Sequence, residues 1–360
     1  MSGALLQAAG GALVLLAGYD LYRTVLVPRG RGGPVTRGVC RGIWRAASLG
    51  GDRVKAQAGP LTVVGGVAAW GALLAVGFAL VTWPALGEGV AASGDRETPT
   101  DFLAALYYSG FNLTTLGTGD LVPRTDVYRV LMIAEAAVGF SYLTLALTYV
   151  MSVYDALNRR NVFALGLHQR TSDTGDAATY LAGLLPGPPA AASQDLTALS
   201  GELAQLFEAH HFYPVLHYFR LPEPRYAMAR ILFVTLDAAS LIRSAPDGPE
   251  AKTLAESAAV EALWRGGLRP VHELAPLFLP DQSPDGPPDG GTLEQDRDRW
   301  QAHYLRAAAK LRAAGVACRD DDAGFARYAA GRAEWDAVVR RFATFMDYDW
   351  DAIADPHTGG

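Results

Sequence analysis

Three runs of the chain are apolar over a length that can cross a bilayer, and all three lie before residue 155. The first, 3–27, carries no charge until Asp20 and Arg23 near its end. The second, 60–84, has no charged residue, and the third, 127–154, has only Arg129 and Glu135. About 20 helical residues cover the roughly 30 Å hydrocarbon core, so each run is long enough to span. A fourth apolar stretch, 101–113, makes a helix of only about 20 Å and is too short to span. Beyond 155 the pattern changes to alanine-rich amphipathic runs at 194–212, 225–243, 250–265, 293–314 and 323–348. Pro and Gly clusters at 185–189, 246–249 and 280–291 punctuate them. The pattern predicts an all-α membrane protein: transmembrane helices first, then a helical domain over 156–360 with a flexible loop at 280–291.

Charge gives these spans a direction. Residues 28–59 hold seven basic side chains against the single acid Asp52, whereas 85–99 hold Glu88, Asp95 and Glu97 against Arg96. By the positive-inside rule the first loop is cytoplasmic and the second external. The N-terminus is then outside, and everything after 155 is cytoplasmic. The first span has no basic residue before its apolar core, the reverse of a cleaved secretory signal, so it reads as a retained helix. Asp20 and Arg23, one helical turn apart, are expected to pair with each other.

Residues 1–154 carry 11 basic and 9 acidic side chains, and the whole chain carries a net −6, which leaves −8 on 155–360. An acidic cytoplasmic half argues against a nucleic-acid partner, which needs Lys and Arg against phosphates. The two cysteines, Cys40 and Cys318, fall on the cytoplasmic side and imply neither a disulfide framework nor a zinc site.

Between the second and third spans lies Thr114-Thr115-Leu116-Gly117-Thr118-Gly119-Asp120, followed by Pro123, Thr125 and Arg129. This run after a short helix resembles the pore of the potassium-channel superfamily: outer helix (60–84), pore helix (101–113), Thr-x-Gly-x-Gly filter (114–120) and inner helix (126–154). The resemblance covers 60–155, and 1–59 then adds an N-terminal helix and a basic loop. It implies K+ coordination by the carbonyls of Thr115, Leu116, Gly117 and Thr118, with the Thr115 hydroxyl as innermost ligand. Gly117 and Gly119 match the family's two filter glycines, and Asp120 sits at the outer mouth. Tyr107 and Tyr108 take the place of the aromatic pair behind the filter. Gly139 falls where related inner helices carry a gating hinge, or it lets helices approach closely. Glu135, an acid within a span, is expected to bond to the pore helix or filter base, with direct ion contact or proton sensing as the alternative. Phe140, Leu143, Leu147 and Met151 recur at helical spacing and line either the cavity or a packing face. A fourfold ring of carbonyls needs four filters and the chain has one, so the expected unit is a homotetramer in membrane lipid.

Thr118 departs from the family pattern, which carries Tyr, Phe or Leu there, although Tyr107 or Tyr108 can offer it a hydroxyl hydrogen bond. The resemblance therefore implies a potassium channel of the cell membrane. A weakly selective monovalent cation channel and a non-conducting membrane-tethered sensor remain as alternatives.

Other motifs fail for want of context. No Gly-x-Gly-x-x-Gly follows a strand, Ser200–Ala204 lies in a helical run rather than a β-roll, and nothing in 155–360 assembles a nucleophile, base and oxyanion site. Asp281, Ser283, Asp285, Gly286 and Asp289 mimic the start of a calcium loop, but Thr292 stands where a bidentate Glu is needed. His210, His211 and His217 meet no metal-ligand spacing. The expectation is therefore no enzyme and no cofactor beyond the permeant ion, with an unassigned ligand for the cytoplasmic half. The aromatic stretch 210–220 is expected to dock on the membrane-proximal surface or on a neighbouring subunit.

Overall fold

A computed structural model of the chain describes residues 3–27, 32–279, 293–319 and 322–354. It divides into two compact units: Met1–Asp155 with Phe212–Phe219, and Ala156–His211 with Arg220–Gly360. The expected flexible loop at 280–291, and with it the calcium-like run from Asp281 to Thr292, lies outside the described residues.

Three helices of the first unit are long and apolar enough to cross a membrane. The first is α1 (Gly3–Leu21), which ends in a π-helical turn, Tyr22–Leu26. An amphipathic helix, α2 (Pro34–Ser48), follows in the basic loop and precedes α3 (Asp52–Thr82). α3 starts at Asp52 rather than at 60, because the polar first two turns extend the helix without the apolar signature of a span. Its Pro60 lies inside the helix. α1 packs along α3 where both carry glycine: a Cβ on Gly10 would lie 2.4 Å from the Gly77 carbonyl oxygen. Small residues at such a crossing let backbones approach in lipid, where helix association depends on close packing.

Asp20 does not pair with Arg23. It is fully buried and accepts from the backbone N–H groups of Val35 (2.7 Å) and Thr36 (3.1 Å). The Thr36 hydroxyl (2.5 Å) and the Trp70 indole N–H (2.7 Å) also donate to it. One carboxylate thus caps the N-terminus of α2 and ties α1 to α3. An Arg three residues away does not match four converging donors, all of them set by α2 and α3.

The short helix α4 (Phe102–Leu113), at the place expected for a pore helix, is capped by Asp101, whose side chain accepts from Ala104 N at 2.8 Å. A two-stranded antiparallel sheet then joins β1 (Val90–Ala92) to β2 (Leu121–Pro123), in register Val90 with Pro123. No hydrophobic alternation announces these three-residue strands, and they were absent from the expected elements. α5 (Asp126–Arg170) is 45 residues long, about 68 Å, and does not stop at 154. Its polar continuation meets no breaker until Ser172, Asp173 and Gly175, all at positive φ.

Phe212–Phe219 folds with the membrane unit. Tyr213 packs near Tyr149 of α5 (6.3 Å between centroids) and Tyr218 near Trp44 of α2 (6.1 Å). Phe219 meets Tyr154 edge-on at 5.9 Å. The same ring lies so close to α3 that a Cβ on Gly59 would fall 2.5 Å from Phe219 Cγ.

The second unit is helical, and its described residues outside helices include one isolated bridge, Pro246 to Cys318. α6 (Ala177–Leu184) and α7 (Pro189–Phe212) lead to α8 (Met228–Ser244). Fifteen of the seventeen residues of α8 are buried, which makes it the central helix. Around it lie α9 (Pro249–Ala255), α10 (Ala258–Glu273), α11 (Ala275–Phe278), α12 (Leu293–Ala313), α13 (Asp322–Ala333), α14 (Asp336–Phe345) and α15 (Trp350–Ala354). The run expected as one helix over 250–265 is two, parted at Ser257, whose hydroxyl caps α10 by accepting from Val260 N. The run over 323–348 is likewise broken, by Trp335. His210 is buried in this unit, with Nδ1 2.9 Å from the Leu206 carbonyl.

Asp20→Ala in the detergent-solubilised protein leaves buried donors on Trp70, Val35 and Thr36 without an acceptor. We expect it to lower the melting temperature by several degrees, while Arg23→Ala leaves it within about a degree. Equal losses in the two variants would show that the carboxylate acts through Arg23.

Candidate functional site

The stretch between α4 and β2 has an unusual backbone. Thr115, Gly117 and Gly119 have φ of 57°, 61° and 76°, whereas Leu116 and Thr118 between them stay on the negative side. Alternating left- and right-handed residues turns successive carbonyls toward the same side of the strand, which a regular β-strand cannot do. Glycine enters the left-handed region without a Cβ penalty. Thr115 is β-branched and enters it against that penalty, a strain typical of functional sites.

The strand begins where the pore helix unwinds. Thr115 N donates to Asn112 O at 3.0 Å and Leu116 N to Phe111 O at 2.8 Å. The far end is held by the small sheet: Ser93 N donates to Asp120 O (2.8 Å) and Arg124 Nη2 to Ala92 O (2.6 Å). Residues 114–120 are all exposed, and Leu116 keeps 70 % of its surface.

Thr118 is held by hydroxyls. Tyr107 donates to Thr118 Oγ1 at 3.2 Å, and Thr118 donates to Asp120 Oδ1 at 2.6 Å. This relay holds the Asp120 carboxyl below its ordinary pKa, with Thr118 as the first cause. Of the two tyrosines, Tyr107 therefore reaches the filter. Tyr108 is buried against Phe111, ring edge to face at 5.2 Å, and supports the pore helix from behind.

Two contacts fix the pore helix to α5. Ser109 Oγ donates to Glu135 Oε1 at 2.5 Å; both residues are fully buried, and Asn112 and Tyr108 flank the carboxyl. Glu135 thus meets the pore helix. At Gly139 a Cβ would lie 2.0 Å from the Leu113 carbonyl oxygen, so the end of α4 rests on α5 backbone to backbone. This close approach requires glycine there, whatever bending the position also permits. At the start of α5 the Thr125 carbonyl accepts from Arg129 N (3.0 Å), and Arg129 pairs with Asp126 at 3.1 Å.

Along α5 the side chains divide. Ala146, Tyr149, Val153 and Ala156 are buried, whereas Phe140 (67 % exposed), Leu143, Leu147 and Met151 form an exposed apolar stripe. Sequence reasoning found the stripe but not the sheet that holds Asp120 and Arg124. The one local signal for that sheet was the Pro123 stop after two β-prone residues. Among the described residues no group of His, Cys, Asp and Glu is arranged to hold a metal.

Comparison with known proteins places this geometry. Residues 66–156 match a family model described as an ion channel. The match takes in the second half of α3, all of α4, residues 114–120 and α5 as far as 156, and it supports the resemblance to the potassium-channel superfamily. Over 215 residues the chain is 29 % identical to an uncharacterized membrane protein, YdjJ, of Bacillus subtilis (strain 168). The alignment covers 58 % of this chain and about three fifths of that protein. No solved structure matches.

If the hydroxyl relay holds the filter, Thr118→Val keeps the side-chain shape and breaks both bonds. We expect it to cut the conducting fraction of single-channel records roughly fivefold relative to Thr118→Ser, the equivalent of about 1 kcal/mol in all. Equal behaviour of the two variants would remove the hydroxyl from the account.

Proposed function

We propose that the chain assembles as a homotetramer in the cell membrane and conducts K+ through a filter built from the carbonyls of Thr115, Leu116, Gly117 and Thr118. The observation that carries this reading is the alternation of left- and right-handed residues from Thr115 to Gly119, on an exposed strand that follows a half-membrane helix. One such strand supplies one side of an ion's coordination shell, and four around an axis replace its water. The uncovered stripe on α5 fits the same axis, as the lining of a cavity or the seat of neighbouring subunits. The negative end of the α4 dipole favours a cation below the filter. Loop charge supports a filter mouth that faces outside and an acidic C-terminal half in the cytoplasm, whose charge disfavours a nucleic-acid partner.

The test is the reversal potential of purified protein in bilayers under opposed K+ and Na+ gradients. Reversal near the K+ equilibrium value is expected. Reversal near zero would support the second reading, a weakly selective cation channel, which Thr118 motivates because a small side chain replaces a packed ring. An intact tetramer that passes no current under any condition would favour a membrane-tethered sensor.

Gating by the cytoplasmic half is part of this reading, and the aromatic segment Phe212–Phe219 supports it. Both its flanks belong to the helical unit, while its rings grip α2, α3 and the lower part of α5. Restraint of the inner helix at Tyr149 and Tyr154 favours the closed state. Gly59→Leu would displace Phe219 and should raise open probability about tenfold, or ~1.4 kcal/mol, with the reversal potential unchanged. An unaltered open probability would take the segment out of gating.

A further inference from the structure

The helical unit contains a buried ion network that conduction does not use. Asp237 of α8, fully buried, accepts from His303 Nε2 (2.8 Å), the Tyr328 hydroxyl (2.6 Å) and Arg332 Nη1 (3.0 Å). Arg332 Nε donates on to Asp336 (2.9 Å), and Asp336 accepts from Arg340 Nη2 (2.8 Å). Arg340 also lies 3.4 Å from Asp296, which pairs in turn with Arg299. Burial pushes the Asp237 carboxyl up, but His303, Arg332 and Tyr328 outweigh it and hold the group below its ordinary value. Buried charges of this kind are expensive, and an apolar core of the same volume serves stability at least as well.

The network opens on one side. A cavity of about 240 Å³ is walled by Arg299, Arg306, Arg332 and Arg340, with His303 beside them. Arg332 and Arg340 are 4 % and 3 % exposed, so these guanidiniums are set in place by the fold. Their carboxylate partners Asp237, Asp296 and Asp336 do not reach the wall, on which Asp351 is the one acid among the described residues. Two indoles complete it. Trp350 lies under Arg340, 4.9 Å from its guanidinium carbon to the ring centroid. Trp300 is buried, and its Nε1–H has no hydrogen-bond acceptor. The described wall thus presents four arginines and the Trp300 indole N–H beside a single acid, in a half of the protein that is otherwise acidic.

We propose that this cavity binds a small polyanion of the phosphate class. An occupant rich in acceptors suits an arginine-lined wall, which is the chemistry of a phosphoryl group against forked guanidiniums. The volume lies below the usual range for drug-sized ligands and admits a phosphate or a short phosphorylated compound. The Trp300 N–H supplies a further neutral donor. Arginine side chains and Trp350 come from α12, α13, α14 and α15, so an occupant draws four helices together.

The test uses the full chain in detergent or nanodiscs, with inorganic phosphate and pyrophosphate as probes and isothermal titration as the readout. No current is measured, so the result is independent of the conduction reading. Arg299 and Arg306 lie at the exposed rim, and the double variant Arg299→Gln/Arg306→Gln is expected to keep the wild-type melting temperature in the absence of ligand. Wild type should bind at least one probe with submillimolar affinity and melt at a higher temperature in its presence. The double variant should bind at least tenfold more weakly, and Trp350→Phe should lose the accompanying indole fluorescence change. Absence of heat and of any melting shift with both probes at 10 mM overturns the proposal, as does equal affinity in the double variant. A double variant that melts early is replaced by Arg306→Gln alone, judged by the same affinity criterion.

Discussion

At membrane depth there is no water to satisfy a backbone carbonyl, so a strand that aims its carbonyls away from secondary structure must be held by its own protein. On the proposed reading, residues 114–120 are organised around that constraint. The left-handed residues Thr115, Gly117 and Gly119 give the strand its shape, but they do not hold it in place. Below, the last turn of α4 bonds directly into Thr115 and Leu116, and its end rests on Gly139 with no room for a methyl group. Behind, the Ser109–Glu135 bond joins pore helix to inner helix across an apolar interface. Above, the strand pair β1–β2 catches Asp120 and Arg124 as the chain leaves the filter. These supports hold the segment from several sides and leave residues 114–120 exposed.

Much of this was legible in the sequence because membranes impose simple rules. Span length reports a constraint that each apolar run satisfies locally, and Gly117 and Gly119 take the positive φ that glycine permits. The buried Glu135 was likewise readable, since an acid within a span must find a donor. What escaped was set by long-range geometry. The destination of Asp20 depends on Val35, Thr36 and Trp70, and no local pattern tells a carboxylate to prefer these over an Arg one turn away. Strands β1 and β2 are three residues each and pair across the pore helix, too short for alternation to register. The extension of α5 to Arg170 was hidden because the polarity that ends a membrane span does not end a helix.

The helical unit was legible in class but not in content. Alanine-rich periodicity located its helices, and the Pro and Gly clusters located several of its breaks. The sequence did not reveal that Asp237, Arg332, Asp336 and Arg340 would meet in the core. Charged residues at such spacings are ordinarily read as solvated faces, and three of these four lie on helices rich in other charges. The cost of burying them has to be balanced by their mutual geometry, which only the packing of α8 against α12, α13 and α14 discloses. The aromatic stretch after α7 shows the reverse case. Its rings marked it as a docking segment from composition alone, and its partners Trp44, Tyr149 and Tyr154 became visible only in the fold.

Thr118 poses the sharpest question about specificity. A large ring at this position holds a filter by volume: it fills the space behind the strand and resists collapse whatever its hydrogen bonds do. Thr118 holds by direction, through Tyr107 on one side and Asp120 on the other. A packed ring resists compression with the stiffness of a protein interior, whereas a hydroxyl bond of about 1 kcal/mol can break and re-form with small changes of distance. The width of the filter then depends more on the anchors at Gly139, Glu135 and the β1–β2 pair than on the residue behind the carbonyls. Discrimination between K+ and Na+ depends on how firmly that width and the carbonyl field are maintained. If the chain conducts as proposed, the burden falls on residues outside the Thr-x-Gly-x-Gly motif, and the motif alone does not decide selectivity.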